Sequence, residues 1–353
     1  MKHFFLAPKL LILLLLTGII MSSCINNKNS SQLQRGKVYV ANEEGGSVSV
    51  IDLQDSLKNT SIDINDSGKM FMAHNVQVSP NGKSVWVTAV PMDSNGINQL
   101  VVIEPESGTI KKRIYLGKDL HVAHVVLDDE SKNAFVTAKD PNQVIQVSAV
   151  NYEVVRKFDL GAHHSPHGLR YAKGKLFVAN MDAKSMSIID IADGKITDIP
   201  LGGVVVQTAI TQDGKFVLAT LYDTKEVIRY DLKSGEIKRI ALPANAKGPI
   251  QLYATPDSKS LYVADQGDLM NRPASNKVFV IDISTAKVTN TITVGNKAHG
   301  VVVSKDGKTI YVTNSIDNTV SVIDAATQKV TRTVSVGKGP NGISYMFETG
   351  GMP

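Results

Sequence analysis

An all-β ring of seven four-stranded units is the fold class that this 353-residue sequence predicts. Three observations predict it. First, a strand–polar turn–strand unit recurs along the chain, from "KVYVANEEGGSVSVIDL" (37–53) to "KTIYVTNSIDNTVSVIDA" (308–325). Second, an apolar strand ending in a tight Asn-Gly or Asp-Gly turn precedes such units, as in "HNVQVSPNGK" (74–83) and "HGVVVSKDGK" (299–308). Those dipeptides mark hairpins because the turn needs positive φ. Third, the chain opens on the second strand of a unit near Lys37 and ends on a lone first strand, "NGISYMF" (341–347). That last strand is expected to pair with the N-terminal strands and close the ring, which removes two sheet edges that would otherwise template aggregation.

The intervening units follow in order. "SVWVTAVPMDSNGINQLVVIEP" (84–105), "NAFVTAKDPNQVIQVSAV" (133–150) and "KLFVANMDAKSMSIIDI" (175–191) lead to "KFVLATLYDTKEVIRYDL" (215–232) and "KSLYVADQGDLMNRPASNKVFVIDI" (259–283). With the first and last copies there are seven pairs, rich in the β-branched and aromatic residues that strands prefer. A charged, edge-like strand such as "TIKKRIYLG" (109–117) or "KVTRTVSVG" (329–337) completes each unit. Four antiparallel strands every ~40–50 residues is the period of a propeller blade. The predicted architecture is therefore a seven-bladed β-propeller whose closing blade is shared between the N-terminal strands and the C-terminal strand. "IYVTN" (310–314), followed by "VSVID" and preceded by "SKDGK", resembles the YVTN-repeat family of seven-bladed propellers. One fold hosts many functions, so this resemblance implies the fold and little more.

The ends carry a different signal. Lys2 and Lys9 precede an apolar run, Leu10 to Ile20, which is short for a membrane span of ~20 residues and fits an export signal. The run ends in "MSSC", which resembles the lipobox of bacterial lipoproteins and implies acylation of Cys24, the single cysteine. The expected organisation is a signal peptide over 1–23, a polar tether over 24–35 and the propeller over 36–353. The expected location is the bacterial cell envelope, with the membrane as a partner through the lipid. Lys and Arg number 38 against 33 acidic residues and form no cluster, so nucleic acid is not an expected partner. A monomer is expected, with a protein partner on the propeller face as a further expectation.

Function is sought in the histidines. His3 falls in the leader; the other seven lie just before, or at the start of, the first strand of a blade. His74, His124, His167 and His299 are read as equivalent places in four blades, with Gln207, Gln251 and Asn341 in others. His121, His163 and His164 are expected close behind. First strands line a propeller's channel, so equivalent residues converge on its axis. Converging imidazoles without carboxylates or thiolates point to copper or zinc rather than calcium. Ligation needs neutral imidazole, so binding is expected to weaken below about pH 6. "HHSPHG" (163–168) is similar to stretches of the nitrous-oxide reductase propeller, which implies copper held by His163, His164, His167, His74, His124 and His299; the cupredoxin domain of that family is absent. A weaker similarity to haem d1 propellers implies a haem-type cofactor with Arg170 near its carboxylates. The alternatives are structural histidines in a metal-free scaffold for protein or glycan, or a propeller lyase or hydrolase; no catalytic residue is assigned, and a binding protein is favoured over an enzyme. Asp52, Glu104, Asp190, Asp282 and Asp324 read as turn caps, Trp86 as core, and "GDLMNRPASN" (267–276) as an inserted loop.

Overall fold

The computed structural model describes residues 36–347 other than 56, together with residues 1, 3, 350 and 351. Cys24, the apolar run and the polar tether lie outside the described residues. Among the described residues there is no helix. The strands form seven antiparallel sheets, six of them four-stranded. Each sheet is one blade.

The innermost strands are Phe71–Val78, Val122–Leu127, Pro166–Ala172, Val205–Ile210, Pro249–Ala254, Ala298–Val303 and Pro340–Phe347, numbered here as blades 1 to 7. Blade 7 is the closing blade. Its C-terminal strand pairs with Gly36–Asn42, matching Val38 to Tyr345 and Val40 to Ile343, and Ser47–Asp52 and Lys58–Asp63 follow outward. A two-residue strand, Gly350–Gly351, extends this sheet. Closure therefore occurs as the repeat count predicts.

The middle strands are buried on both faces and read as continuous apolar runs. The outermost ones are mostly exposed, as in Lys58–Asp63 and Lys329–Ser335. Apolar clusters fill the seams between neighbouring blades; Trp86 lies in one of them, fully buried. Carboxylates at strand ends cap turns as expected: Asp52 accepts from the Gln54 amide at 2.8 Å and Asp324 from the Thr327 amide at 2.8 Å. The tight turns need their glycines, for Gly82 has φ +69° and Gly307 φ +72°. The inserted loop is tied down by Arg272, which donates to the carbonyls of Tyr222, Lys247 and Asp223 at 2.8–3.0 Å.

Candidate metal centre

Each innermost strand carries a β-bulge near its start, where two residues face one on the second strand. A bulge bends the strand and re-aims its side chains. Here it holds every polar residue that the sequence reading placed at the axis. The first bulge place contains His74, Ala123, His167, Val206, Ile250, His299 and Asn341 in blades 1 to 7. The second contains Asn75, His124, Gly168, Gln207, Gln251, Gly300 and Gly342. The expected equivalence of four histidines is corrected here. His74, His167 and His299 are equivalent, while His124, Gln207 and Gln251 sit one residue further along.

Threonines latch the bulges to one another. Thr137 accepts from the His124 amide at 3.0 Å and donates to the His167 carbonyl of the next blade at 2.6 Å. Thr88, Thr220 and Thr313 repeat this link, each joining the second bulge place of its blade to the first of the next. The imidazole backbones are thus held by the ring itself.

The structure brings His74, His124 and His167 together. One ring nitrogen from each lies within 4.8 Å of the others. Their ring centroids are 5.7 Å (His74–His124), 5.5 Å (His74–His167) and 4.9 Å (His124–His167) apart, all edge to face. The His167 Nδ1–H donates to the Val206 carbonyl at 3.0 Å, which leaves Nε2 as the lone-pair nitrogen. His74 Nδ1 lies 2.7 Å from Glu43 Oε1, and its Nε2 is buried without a partner. A carboxylate behind a histidine is the arrangement that orients metal ligands and raises their basicity. Glu43 also accepts from the Asn341 amide. His124 is contacted at Nδ1 by Gln207 at 3.2 Å and at Nε2 by Gln251 at 3.4 Å, so ligation there displaces one amide.

The site's electrostatics favour neutral imidazoles. Burial, reinforced by the charges of neighbouring histidines and Arg170, holds His124 well below the ordinary histidine range. Burial and the His74 charge bring His167 to about 4. Burial brings His299 to about 3, although Glu43 acts against it. Burial alone would raise Glu43, but the His74 charge and hydrogen bonds from His74 and Asn341 bring it to about 2. His124, His167 and His299 are therefore unprotonated at neutral pH, the state in which an imidazole can take a late transition metal. With metal–nitrogen bonds of about 2.0–2.1 Å, tetrahedral ligand nitrogens stand about 3.3–3.4 Å apart, so nitrogens now up to 4.8 Å apart would close by up to about 1.4 Å on binding.

The other predicted histidines are placed differently. His299 is buried beside this group, with Nδ1 unpartnered, but is not one of the three. His121 is exposed and paired with Asp140 at 2.7 Å. His163 is exposed. His164 Nε2 lies 3.0 Å from Asp198, on the outermost strand of its blade. None of these last three joins the axial cluster, because the loops carrying them turn outward; His121 and His163 have φ of +42° and +62°. Glu43 escaped sequence reasoning. It lies in a turn of blade 7, and only the "EEGG" composition of that turn marks it.

Comparison with known proteins agrees with this architecture. Residues 201–349, spanning blades 4 to 6 and the closing strand, match the YNCE-like beta-propeller family. No curated protein matches the chain. Among solved structures, a functionally unknown protein from Desulfotomaculum acetoxidans is similar at TM-score 0.70 and 15% identity, covering 88% of this chain and 99% of its own. Virginiamycin B lyase from Staphylococcus aureus is similar at TM-score 0.66 and 17% identity, over 81% and 96%. Kuenenia stuttgartiensis hydrazine synthase is similar at TM-score 0.65 and 15% identity, over 77% and 92%. At such identities the likeness is one of fold. The chain is a seven-bladed β-propeller, and its C-terminal 201–349 portion matches the YNCE-like beta-propellers.

Proposed function

We propose that this protein is a binding protein whose propeller axis holds a copper ion through His74, His124 and His167, on a chain anchored to the cell envelope by a lipid at Cys24. The observation that carries the reading is the convergence of three buried or half-buried imidazoles, with a bare His74 Nε2 backed by Glu43 at 2.7 Å. His167 and His74 would supply the fixed ligands. His124 would complete the set, and Glu43 would hold the His74 tautomer. The bound metal would supply a Lewis-acid or one-electron centre; the residues themselves orient it and exclude water.

The test is metal retention. Purified protein is loaded separately with Cu(II) and Zn(II), desalted and analysed for metal. About one copper per chain is expected, with a higher melting temperature by mass action, and His167→Ala should lose both. A folded protein that keeps neither metal sinks this reading and leaves a metal-free scaffold. For the anchor, the wild type should partition into a detergent phase and Cys24→Ala into the aqueous phase; identical partitioning contradicts lipidation.

A further inference from the structure

Three residues beyond His167, the same strand carries Arg170 into a second chemical environment. Gln77, Arg170, Tyr253 and Ser344 occupy matching places in blades 1, 3, 5 and 7, two residues past the second bulge place. In blade 4 that place holds Ala209. The missing side chain leaves room for a cavity of about 170 Å³ lined by Arg170, Ala209, Ile210, Tyr253, Asp129 and Lys173. It lies at the far ends of the innermost strands, away from the bulges.

The Arg170 guanidinium is half-buried and donates from Nη1 to the Leu169 carbonyl at 2.9 Å. Among the described residues no carboxylate forms an ion pair with it or with Lys173. The Tyr253 hydroxyl is fully buried and has no hydrogen-bond partner. Arg170 and Tyr253 also share a void of about 20 Å³ on the axis, room for roughly one water. A planar fork of donors with one main-chain acceptor and no carboxylate, and a spare hydroxyl, therefore line the same space, a costly arrangement unless an anion completes it. The remaining walls combine Ala172, Ala209, Ile210 and Ala254 with the polar Thr211 and Gln212.

We propose that this cavity is a binding site for a small organic monocarboxylate, its head on Arg170 and Tyr253 and its apolar body along Ala209 and Ile210. A guanidinium takes a carboxylate through two parallel hydrogen bonds. The volume suits a single ring, since a cavity of about 150 Å³ accepts benzene. Asp129 on the lining disfavours a second negative charge, so dicarboxylates and phosphate are the poorer ligands. Lys173, whose ammonium lies over Gly214, also lines the cavity.

Benzoate is the probe, titrated by calorimetry into the metal-free full-length protein, so the outcome does not depend on the metal reading. Saturable one-site binding is expected, with terephthalate and inorganic phosphate weaker. Arg170→Met should weaken benzoate by about 10- to 100-fold, and Tyr253→Phe by about 2- to 10-fold. Tyr253→Phe removes a hydroxyl that the fold does not use, so it tests the site even if Arg170→Met unfolds. The proposal is overturned if folded wild type shows no saturable benzoate binding, if Tyr253→Phe binds as the wild type does, or if phosphate binds more tightly than benzoate.

Discussion

Blades 3, 6 and 7 and blades 2, 4 and 5 solve the same bulge in opposite ways. In the first group a polar side chain is followed by glycine: His167-Gly168, His299-Gly300 and Asn341-Gly342. In the second an alanine or aliphatic residue is followed by a polar one: Ala123-His124, Val206-Gln207 and Ile250-Gln251. The reason is steric. A Cβ on Gly168 would lie 2.2 Å from Gln207 Oε1 and 2.7 Å from the Val206 carbonyl; one on Gly300 would lie 2.4 Å from the Asn341 carbonyl. Where the neighbouring bulge presses in, only the first place can carry a side chain. The difference teaches how three rings fit on one axis: two enter from the first place and one from the second, and they meet edge to face rather than colliding in one layer.

The sharpest way to break this comparison is to exchange the two solutions. Gly168→Ala should destabilise the fold by about 2–3 kcal/mol, since its contacts are with backbone and a packed amide. Ala123→Gly in blade 2 should cost only about 0.5–1 kcal/mol, because that place needs no special approach. Equal losses in chemical denaturation would contradict the two-type reading. Next in size, Glu43→Gln should lower copper affinity by about 10- to 100-fold while leaving the fold intact; an unchanged affinity would remove Glu43 from the site.

Acid provides a third test. His167 and His299 titrate near 4 and 3 in the folded protein, whereas an unfolded histidine titrates near 6.5. Below pH 6.5 the unfolded chain therefore takes up protons that the folded one refuses. The metal-free protein should hold constant stability above about pH 7 and lose it progressively from about pH 6.5 to 4. Glu43, lowered to about 2, adds to the loss below about pH 4.5. His299→Gln should reduce the slope by up to about 1.4 kcal/mol per pH unit; an unaltered slope would mean that His299 is not held neutral. At His124 and His167 proton competition with a metal would likewise begin only below the ordinary histidine range. A modest effect is expected at the latch: Thr137→Val, which keeps the shape and removes two hydrogen bonds between His124 and His167, should cost about 1–2 kcal/mol in chemical denaturation.

Most of the fold was legible in the amino-acid order. Period-2 strands, Asn-Gly and Asp-Gly turns, and a terminal strand lacking local partners define seven blades and their closure, because pairing within a hairpin is a local matter. The concentration of histidines at blade entrances was legible for the same reason. The tertiary structure alone decided which of them meet. A bulge shifts register by one residue, and its two places cannot be told apart until the next blade's backbone comes against them; thus His124 moved one place from its expected equivalents. Loop direction was equally hidden, so His121, His163 and His164 turned outward to Asp140, Asp198 or solvent. Glu43 reaches His74 from 31 positions away in the chain, across the seam where the last blade meets the first. Contacts of that kind arise only when the ring closes, since no local pattern encodes a distance between blades.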